Sequence, residues 1–367
     1  DRGVVKESAR YNHNEQVQSQ LEKGIVIANG LINNDTAREI WETAIAKGPQ
    51  SRGFNSYVKK LDVDKNVLDI FLDTVINDKI YLVERAQKAK GKTLGDKFEV
   101  ALNELLSRQM GDNFSIKPIK QIKGDLGITI GSESFALEVK LNDQAQIGST
   151  TVRNILTEPQ LFKGIDLSTE IVEQINKQKD KFNEFVEFAK NYGAEIDGFG
   201  ALKLKDKADW ETIKKDWGKA VPRISFEMDQ EPAMQLYKTR DGVLDVPFIH
   251  IGGKGTFATE VTEISAGVPV LQADMEYVVR MVRSGKRVAF RLFPNFKNIK
   301  NESQINLETS TGRKRFADII TRNTAKKYDD NVSKALLNSS VKASERKGIS
   351  VWDFDDTLAR TKSNVLY

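Results

Sequence analysis

The spacing of apolar positions changes period several times along the chain, and those changes outline its elements. Residues 1 to about 75 are mostly polar with apolar positions at helical spacing, as in Asn34-Asp-Thr-Ala-Arg-Glu-Ile-Trp41, where Asn34 or Asp35 would cap a helix. Lys79 to Met110 predicts two helices broken at Gly91-Lys-Thr-Leu-Gly95. From Ser115 to Leu141 the pattern becomes a set of short β-type runs separated by turn residues. Helical spacing returns from Asp166 to Tyr192 through Ile171, Ile175, Phe182, Phe185 and Val186, and Trp210 and Trp217 share a further predicted helix. Val246–Ile251 and Arg287–Phe293 predict strands, with a helix from Gln272 to Arg283 between them. Residues 297–348 are polar and basic and predict a helix with linker on either side.

This order predicts an α/β protein with a mixed central β-sheet flanked by helices. An N-terminal helical region spans 1–78, and an α/β core spans 79–296 with a helical insertion at about 160–240. A basic helical or linker segment follows over 297–348, and 349–367 reads as the start of another domain. No internal repeat or low-complexity tract interrupts it.

Composition narrows the chemistry. The 367 residues are 39% hydrophobic and 29% charged, enough to bury a sizeable core. No apolar run reaches about 18 residues, so no membrane partner is expected, and a cytoplasmic location is. The opening Asp-Arg-Gly-Val-Val-Lys has neither an initiator Met nor a signal-peptide pattern, so trimming or processing is expected. There is no cysteine, which excludes disulfides, thiolate zinc sites and thiol nucleophiles. With only His13 and His250, a histidine metal site or a Ser-His-Asp triad is not expected either. Catalysis would rest on carboxylates, lysines and a hard cation such as Mg²⁺ or Mn²⁺.

One hairpin carries that equipment. In Gly124-Asp-Leu-Gly-Ile-Thr-Ile-Gly-Ser-Glu-Ser-Phe-Ala-Leu-Glu-Val-Lys-Leu141, alternation puts Phe135, Leu137, Val139 and Leu141 on one face. Ala136, Glu138 and Lys140 share the other. If the strands pair symmetrically about a Gly131–Ser134 loop, Asp125 lies opposite Lys140 and diagonal to Glu138. Two carboxylates and an ammonium then converge, fit to hold a divalent cation and to stabilise charge on a phosphorane.

Asp125 followed by Glu138-Val139-Lys140 resembles the D…(D/E)-x-K signature of the PD-(D/E)XK nuclease superfamily, the restriction-endonuclease-like fold. The resemblance covers 94 to about 160 and extends to the order of elements: helix, strand (Lys117–Gln121), Asp strand, E-x-K strand, helix (Val152–Ile155). It implies that Asp125 and Glu138 bind metal with the Val139 carbonyl as third ligand, that Lys140 positions the water, and that an acid on the preceding helix assists. On Lys97–Leu106, Glu99 sits at the edge of the apolar face, whereas Glu104 falls on the far side. Gly124 stands where the family pattern has proline. Family members often carry a glutamine on the next helix that touches the site or the DNA; among Asn142, Gln144 and Gln146, Gln146 stands as the candidate.

Between Tyr277 and Lys300 lie Arg280, Arg283, Lys286, Arg287, Arg291, Lys297 and Lys300 with no acid among them, interleaved with Phe290, Phe293 and Phe296. The cations suit a phosphate backbone, with the phenylalanines expected in the core. Gly252-Gly-Lys-Gly-Thr256 lacks phosphate-loop spacing and reads as a turn after a strand, with His250 as a satisfied strand histidine. Val351-Trp-Asp-Phe-Asp-Asp-Thr-Leu358 resembles the first motif of haloacid-dehalogenase-like phosphohydrolases, which implies Asp353 as nucleophile and Asp355 as general acid. The rest of that domain does not follow, so the motif is read as vestigial here, and a nuclease-like domain ending in it resembles large multidomain phage virion proteins. The expectation is a Mg²⁺-dependent nuclease acting on DNA, with RNA as the other substrate. The alternative is a non-catalytic phage structural or packaging component retaining a nuclease-like fold, partnered by particle proteins and located in the host cytoplasm or virion.

Overall fold

A computed structural model describes residues 2–76, 79–91, 93–111, 113–119, 124–143, 148–162, 165–167, 169–228 and 244–343. The N-terminal part is helical, with α1 (Arg2–Ile27), α2 (Asn34–Lys47), α3 (Arg52–Val58), α4 (Lys65–Val75), α5 (Lys79–Lys88) and α6 (Leu94–Gln109). The cap of α2 lies one residue before the expected pair: Asn33 accepts the Thr36 N–H. A reciprocal capping box, Thr93 with Asp96, starts α6, whose Phe98, Ala101, Leu102, Leu105 and Leu106 are buried at helical spacing.

Strands β1 (Phe114–Pro118), β2 (Leu126–Ile130) and β3 (Glu133–Lys140) form an antiparallel run. Next come β4 (Gly148–Thr150), α7 (Val152–Thr157), the short β5 (Leu161–Phe162) and β6 (Ile165–Asp166), and helices α8 (Thr169–Lys177) and α9 (Lys179–Lys190). They lead to β7 (Glu195–Ile196), β8 (Leu202–Lys203), α10 (Asp209–Trp217) and β9 (Arg223–Met228). The described chain ends with β10 (Phe248–Ile251), β11 (Gly255–Ala258), β12 (Asp274–Ser284), β13 (Arg287–Lys297) and α11 (Ser310–Ala343). The class is mixed α/β, built on two larger sheets, with β5 and β6 pairing as a separate two-stranded one. The first has the order β1-β2-β3-β10-β11, with β10 parallel to β3 and the other pairs antiparallel. The second has the order β7-β8-β13-β12-β9, with β4 added to β13.

Several expectations fail here. In place of a single central sheet with a helical insertion at about 160–240 there are two larger sheets, and β7, β8 and β9 of that stretch join the second. The strand expected at Lys117–Gln121 is Phe114–Pro118. Residues 272–283 are not a helix: Asp274–Ser284 form an eleven-residue strand, β12. Met275, Tyr277, Val279 and Met281 are buried at period two, and pairing with β13 and β9 along the strand overrides the helix-like spacing. The hairpin register also differs. Leu126 pairs with Leu137 and Ile130 with Glu133, so the turn is Gly131-Ser132 and Asp125 comes beside Glu138 rather than opposite Lys140. Gly131, at φ 57°, supplies the positive φ that a two-residue hairpin turn needs at its first position.

Two buried clusters flank the first sheet. One joins the N-terminal helices (Leu21, Trp41, Phe71, Tyr81, Leu105) to Ile128, Phe135, Leu137, Val139 and Phe248, and to Phe316 and Ile320 of α11. The other gathers Phe182, Phe185, Trp210, Tyr277, Phe290 and Leu292 and takes in Ile249 and Ile251. Alternation along β10 thus sends Phe248 into one core and Ile249 and Ile251 into the other. Glu138 and Lys140 register with Ile249 and Ile251, on the face toward the second core.

Glu104 of α6 is explained by a buried partner on α5. Arg85 donates from Nε and Nη2 to its two oxygens at 2.8 and 2.9 Å, and from Nη1 to the Ile45 carbonyl. Removing one member of a buried pair strands the other charge. Glu104→Ala is therefore expected to destabilise the protein by about 3–5 kcal/mol, measured by guanidinium unfolding, with Glu104→Gln losing less.

Candidate active site

The site is built where β2 begins and β3 ends. From Phe135 to Lys140, β3 is buried on both faces, so its two ionisable side chains must find partners. Glu138 and Lys140 are 5% and 7% exposed and form a direct ion pair through Glu138 Oε1. Glu138 Oε2 accepts the Gly124 N–H at 2.7 Å. Asp125 Oδ2 accepts the Val139 N–H at 2.8 Å and lies 3.9 Å from Lys140 Nζ. Asp125, Glu138 and Lys140 are thus gathered on a few ångströms of backbone, despite the two-residue error in register. A shift of two residues conserves the face of every side chain, so the convergence survives it.

Gly124 explains its own identity. Its φ is +80°, and a Cβ there would meet the Ala136 Cβ at 2.5 Å. A proline could neither take that conformation nor donate to Glu138. At the other end, Gly252 donates to the Lys140 carbonyl at 2.8 Å, and a Cβ on it would meet the Leu141 oxygen at 2.2 Å. Gly252–Lys254 form the turn between β10 and β11, and Gly255 and Thr256 already belong to β11, paired with Ile251 and His250. Gly253 N–H is accepted by the buried Glu308, and His250 is fully buried with Nδ1 3.0 Å from the Thr256 hydroxyl.

The electrostatics follow from this burial. Burial, with Glu138 alongside, pushes the Asp125 carboxyl up to about 8, Lys140 offsetting only part of the rise. Burial likewise raises Glu99 to about 6, Lys140 acting against it while Asp96 and Glu138 add to it. Glu99 is half-buried on α6 and lies within electrostatic reach of Lys140 and Glu138. Burial alone would lower the Lys140 ammonium, but Glu138 and Asp125 hold it above the ordinary lysine value. The cluster is an acidic site with one carboxyl held protonated near neutral pH.

Among the described residues, no group of three or more His, Asp or Glu side chains is clustered to hold a metal ion. The donor set is the pair Asp125 and Glu138, which suffices for Mg²⁺ completed by waters and a carbonyl. The Val139 N–H points at Asp125, and a strand residue's N–H and C=O face the same neighbour, so its carbonyl lies on that side.

The basic strip resolves into parts with different surroundings. Arg280, Arg287 and Arg291 share the face of the second sheet opposite its core. Arg287 pairs with Asp197 at 2.8 Å and lies over the Phe199 ring. Arg283 and Lys286 sit at the β12–β13 turn and donate to the Gly285 and Lys205 carbonyls. Lys297 pairs with Glu276, and Lys300 with Asp274. Phe290 and Phe296 are buried as expected, but Phe293 faces outward beneath Arg280, 4.4 Å from guanidinium to ring centre. Sequence reasoning missed Arg223, which the register of β9 places directly beside Arg280. Gln146, Asp353 and Asp355 lie outside the described residues. No helix among the described residues is long and apolar enough to cross a membrane.

No known protein-family model, curated protein or solved structure matches this chain.

Asp125 gives the site a pH signature. Its folded value of about 8 exceeds the ordinary carboxylate value of the unfolded chain, so between the two the folded state holds the extra proton. Stability must then fall as pH rises toward 8. His250, which burial lowers to about 4, works the other way, adding stability as pH rises toward its unfolded value near 6.5. Between pH 6.5 and 8.5 in EDTA, wild-type stability is expected to fall by at most about 1.4 kcal/mol per pH unit, measured by urea unfolding. Asp125→Asn, which can still accept from Val139, should flatten that slope.

Proposed function

We propose that this chain hydrolyses phosphodiester bonds in DNA as a Mg²⁺- or Mn²⁺-dependent nuclease of the PD-(D/E)XK type. The observation that carries the reading is the convergence of Asp125, Glu138 and Lys140 at the open end of a hairpin. The order α6, β1, Asp125 ahead of β2, β3 with its E-x-K, then α7 supports a restriction-endonuclease-like core. RNA is the other substrate this chemistry would serve.

Asp125 and Glu138 would hold the metal, with the Val139 carbonyl beside them. Bound there, the cation would supply Lewis-acid stabilisation of phosphoryl charge and a water of lowered pKa. To hold a metal, Asp125 would have to give up the proton it retains near neutral pH, so affinity should rise with pH. Glu138 Oε1, which pairs with Lys140, would have to be freed from it. Released from that oxygen, the Lys140 ammonium can orient the attacking water and steady charge on the phosphorane. Glu99, at about 6, can exchange a proton near neutral pH from the rim of the cluster.

Supercoiled plasmid incubated with Mg²⁺ or Mn²⁺ should be nicked or linearised, and EDTA should stop the reaction. Glu138→Ala and Asp125→Ala should abolish cleavage. Lys140→Ala should lower it by about 10²-fold or more, and Glu99→Gln by less. Wild-type rates in the Glu138 or Asp125 variant would refute the site. No metal-dependent cleavage by the wild type of DNA or RNA would leave the other reading, a non-catalytic component of a phage particle that keeps a nuclease-like fold.

A further inference from the structure

The outward face of the second sheet carries an arrangement that a merely solvated surface does not require. The registers of β9, β12 and β13 set Arg223 against Arg280 and Arg280 against Arg291, three arginines in one row across three adjacent strands. Like charges directly opposed on one sheet face repel and cost stability. Arg223 and Arg280 are exposed, and neither has an ion pair among the described residues. The row borders a cavity of about 240 Å³ lined by Arg223, Ser225, Glu276, Arg280, Phe293 and Asn295, with Val278 in its floor. Arg280 lies over Phe293, its guanidinium carbon 4.4 Å from the ring centre, which holds the cation at the cavity. At the far end, hydrogen bonds from Ser225 and Asn295, with Lys297 beside them, hold Glu276 down at about 2, an ionised acceptor at any working pH. A second guanidinium–aromatic pair lies on the same face, where Arg287, also paired with Asp197, sits 5.0 Å from the centre of the Phe199 ring, which is itself 77% exposed.

We propose that this face binds single-stranded nucleic acid. The arginine row would take consecutive phosphates, and the cavity would take one unpaired base between the Arg280 plane and the Ser225–Glu276–Asn295 end. Phe199 with Arg287 provides the next stacking platform. A row of cations without a cavity would fit any polyanion. Two guanidinium–aromatic stacks beside a pocket with a fixed acceptor fit exposed bases, which a duplex keeps stacked inside. Phosphate and a stackable base are common to DNA and RNA, so both are candidate strands. The proposal rests on nucleic acid being the substrate of the site at Asp125, but binding here needs neither metal nor cleavage.

The test is fluorescence anisotropy in EDTA with labelled oligo-dT, oligo-U and a duplex of equal length, over a range of salt. The wild type should bind one or both single strands at least tenfold more tightly than the duplex. Arg223→Ala/Arg280→Ala should weaken that binding at least tenfold and lower the salt slope by about 1.4, at roughly 0.7 per lost phosphate contact. Phe199→Ala should weaken it by about tenfold while leaving the slope unchanged, as lost stacking would. All three residues are at the surface, and matching thermal unfolding would show the variants folded. Because the measurement is made in EDTA, it reads binding without metal or cleavage, which separates this proposal from the catalytic one. Binding unaffected by the double substitution, duplex bound as tightly as either single strand, or no binding to any probe would overturn it.

Discussion

The structure turns on a strand that is buried on both faces yet carries a glutamate and a lysine. Phe135, Leu137 and Val139 fill the first core, and Glu138 and Lys140 face the second sheet, where water is largely excluded. Ions in such a place lose several kcal/mol of hydration each, and only tight pairing offsets it. The surrounding backbone is arranged to supply that pairing: the Gly124 N–H to Glu138, the Val139 N–H to Asp125, and Lys140 between the two acids. The glycines at 124 and 252 are there because these close approaches leave no room for a Cβ. Apolar residues of similar size would serve stability at least as well. Stability therefore does not account for the cluster.

The same burial sets its chemical state. Lys140 satisfies one acid and approaches the second, but Asp125 remains short of positive charge and keeps its proton to about 8. A site in this condition keeps one proton, which on the proposed reading Asp125 would give up to a divalent cation. The Arg85–Glu104 pair is the contrast within the same molecule. There the charges match one for one, both oxygens of the carboxylate are taken, and α5 is locked to α6.

The sequence made the cluster legible because its residue types and face alternation depend only on period two. The register needed more, since Gly131 had to be recognised as the first of two turn residues rather than of four. That the error left the cluster intact is a property of β-strands: even shifts keep the face. The reading of 272–283 failed for a different reason. Apolar residues at 275, 278, 279 and 282 also satisfy a helical spacing, and long-range pairing with β9 and β13 decided against it. Arg223 could not have been found from spacing, because it joins Arg280 only through a register set between distant segments. The basic strip likewise looked free of acids along the chain, whereas folding brings Asp197, Asp274 and Glu276 to its edges.

The two sheets are tied together just after Lys140. The Asp143 carbonyl accepts the Phe296 N–H at 2.9 Å, and β4 pairs with the Phe290–Leu292 stretch of β13. Ser149 registers with Arg291, so the chain leaving the acidic cluster becomes an edge of the sheet that presents the arginine row. Backbone hydrogen bonds of this kind hold strands to a fixed spacing and do not swing as a loop does. On the proposed reading, a strand held by the arginines would be fixed relative to Asp125 by the sheet itself, and positioning would come from the fold rather than from closure of a lid. On the same reading the arginine row would take phosphate, and Asp125, on giving up its proton, would take the cation that phosphate chemistry uses.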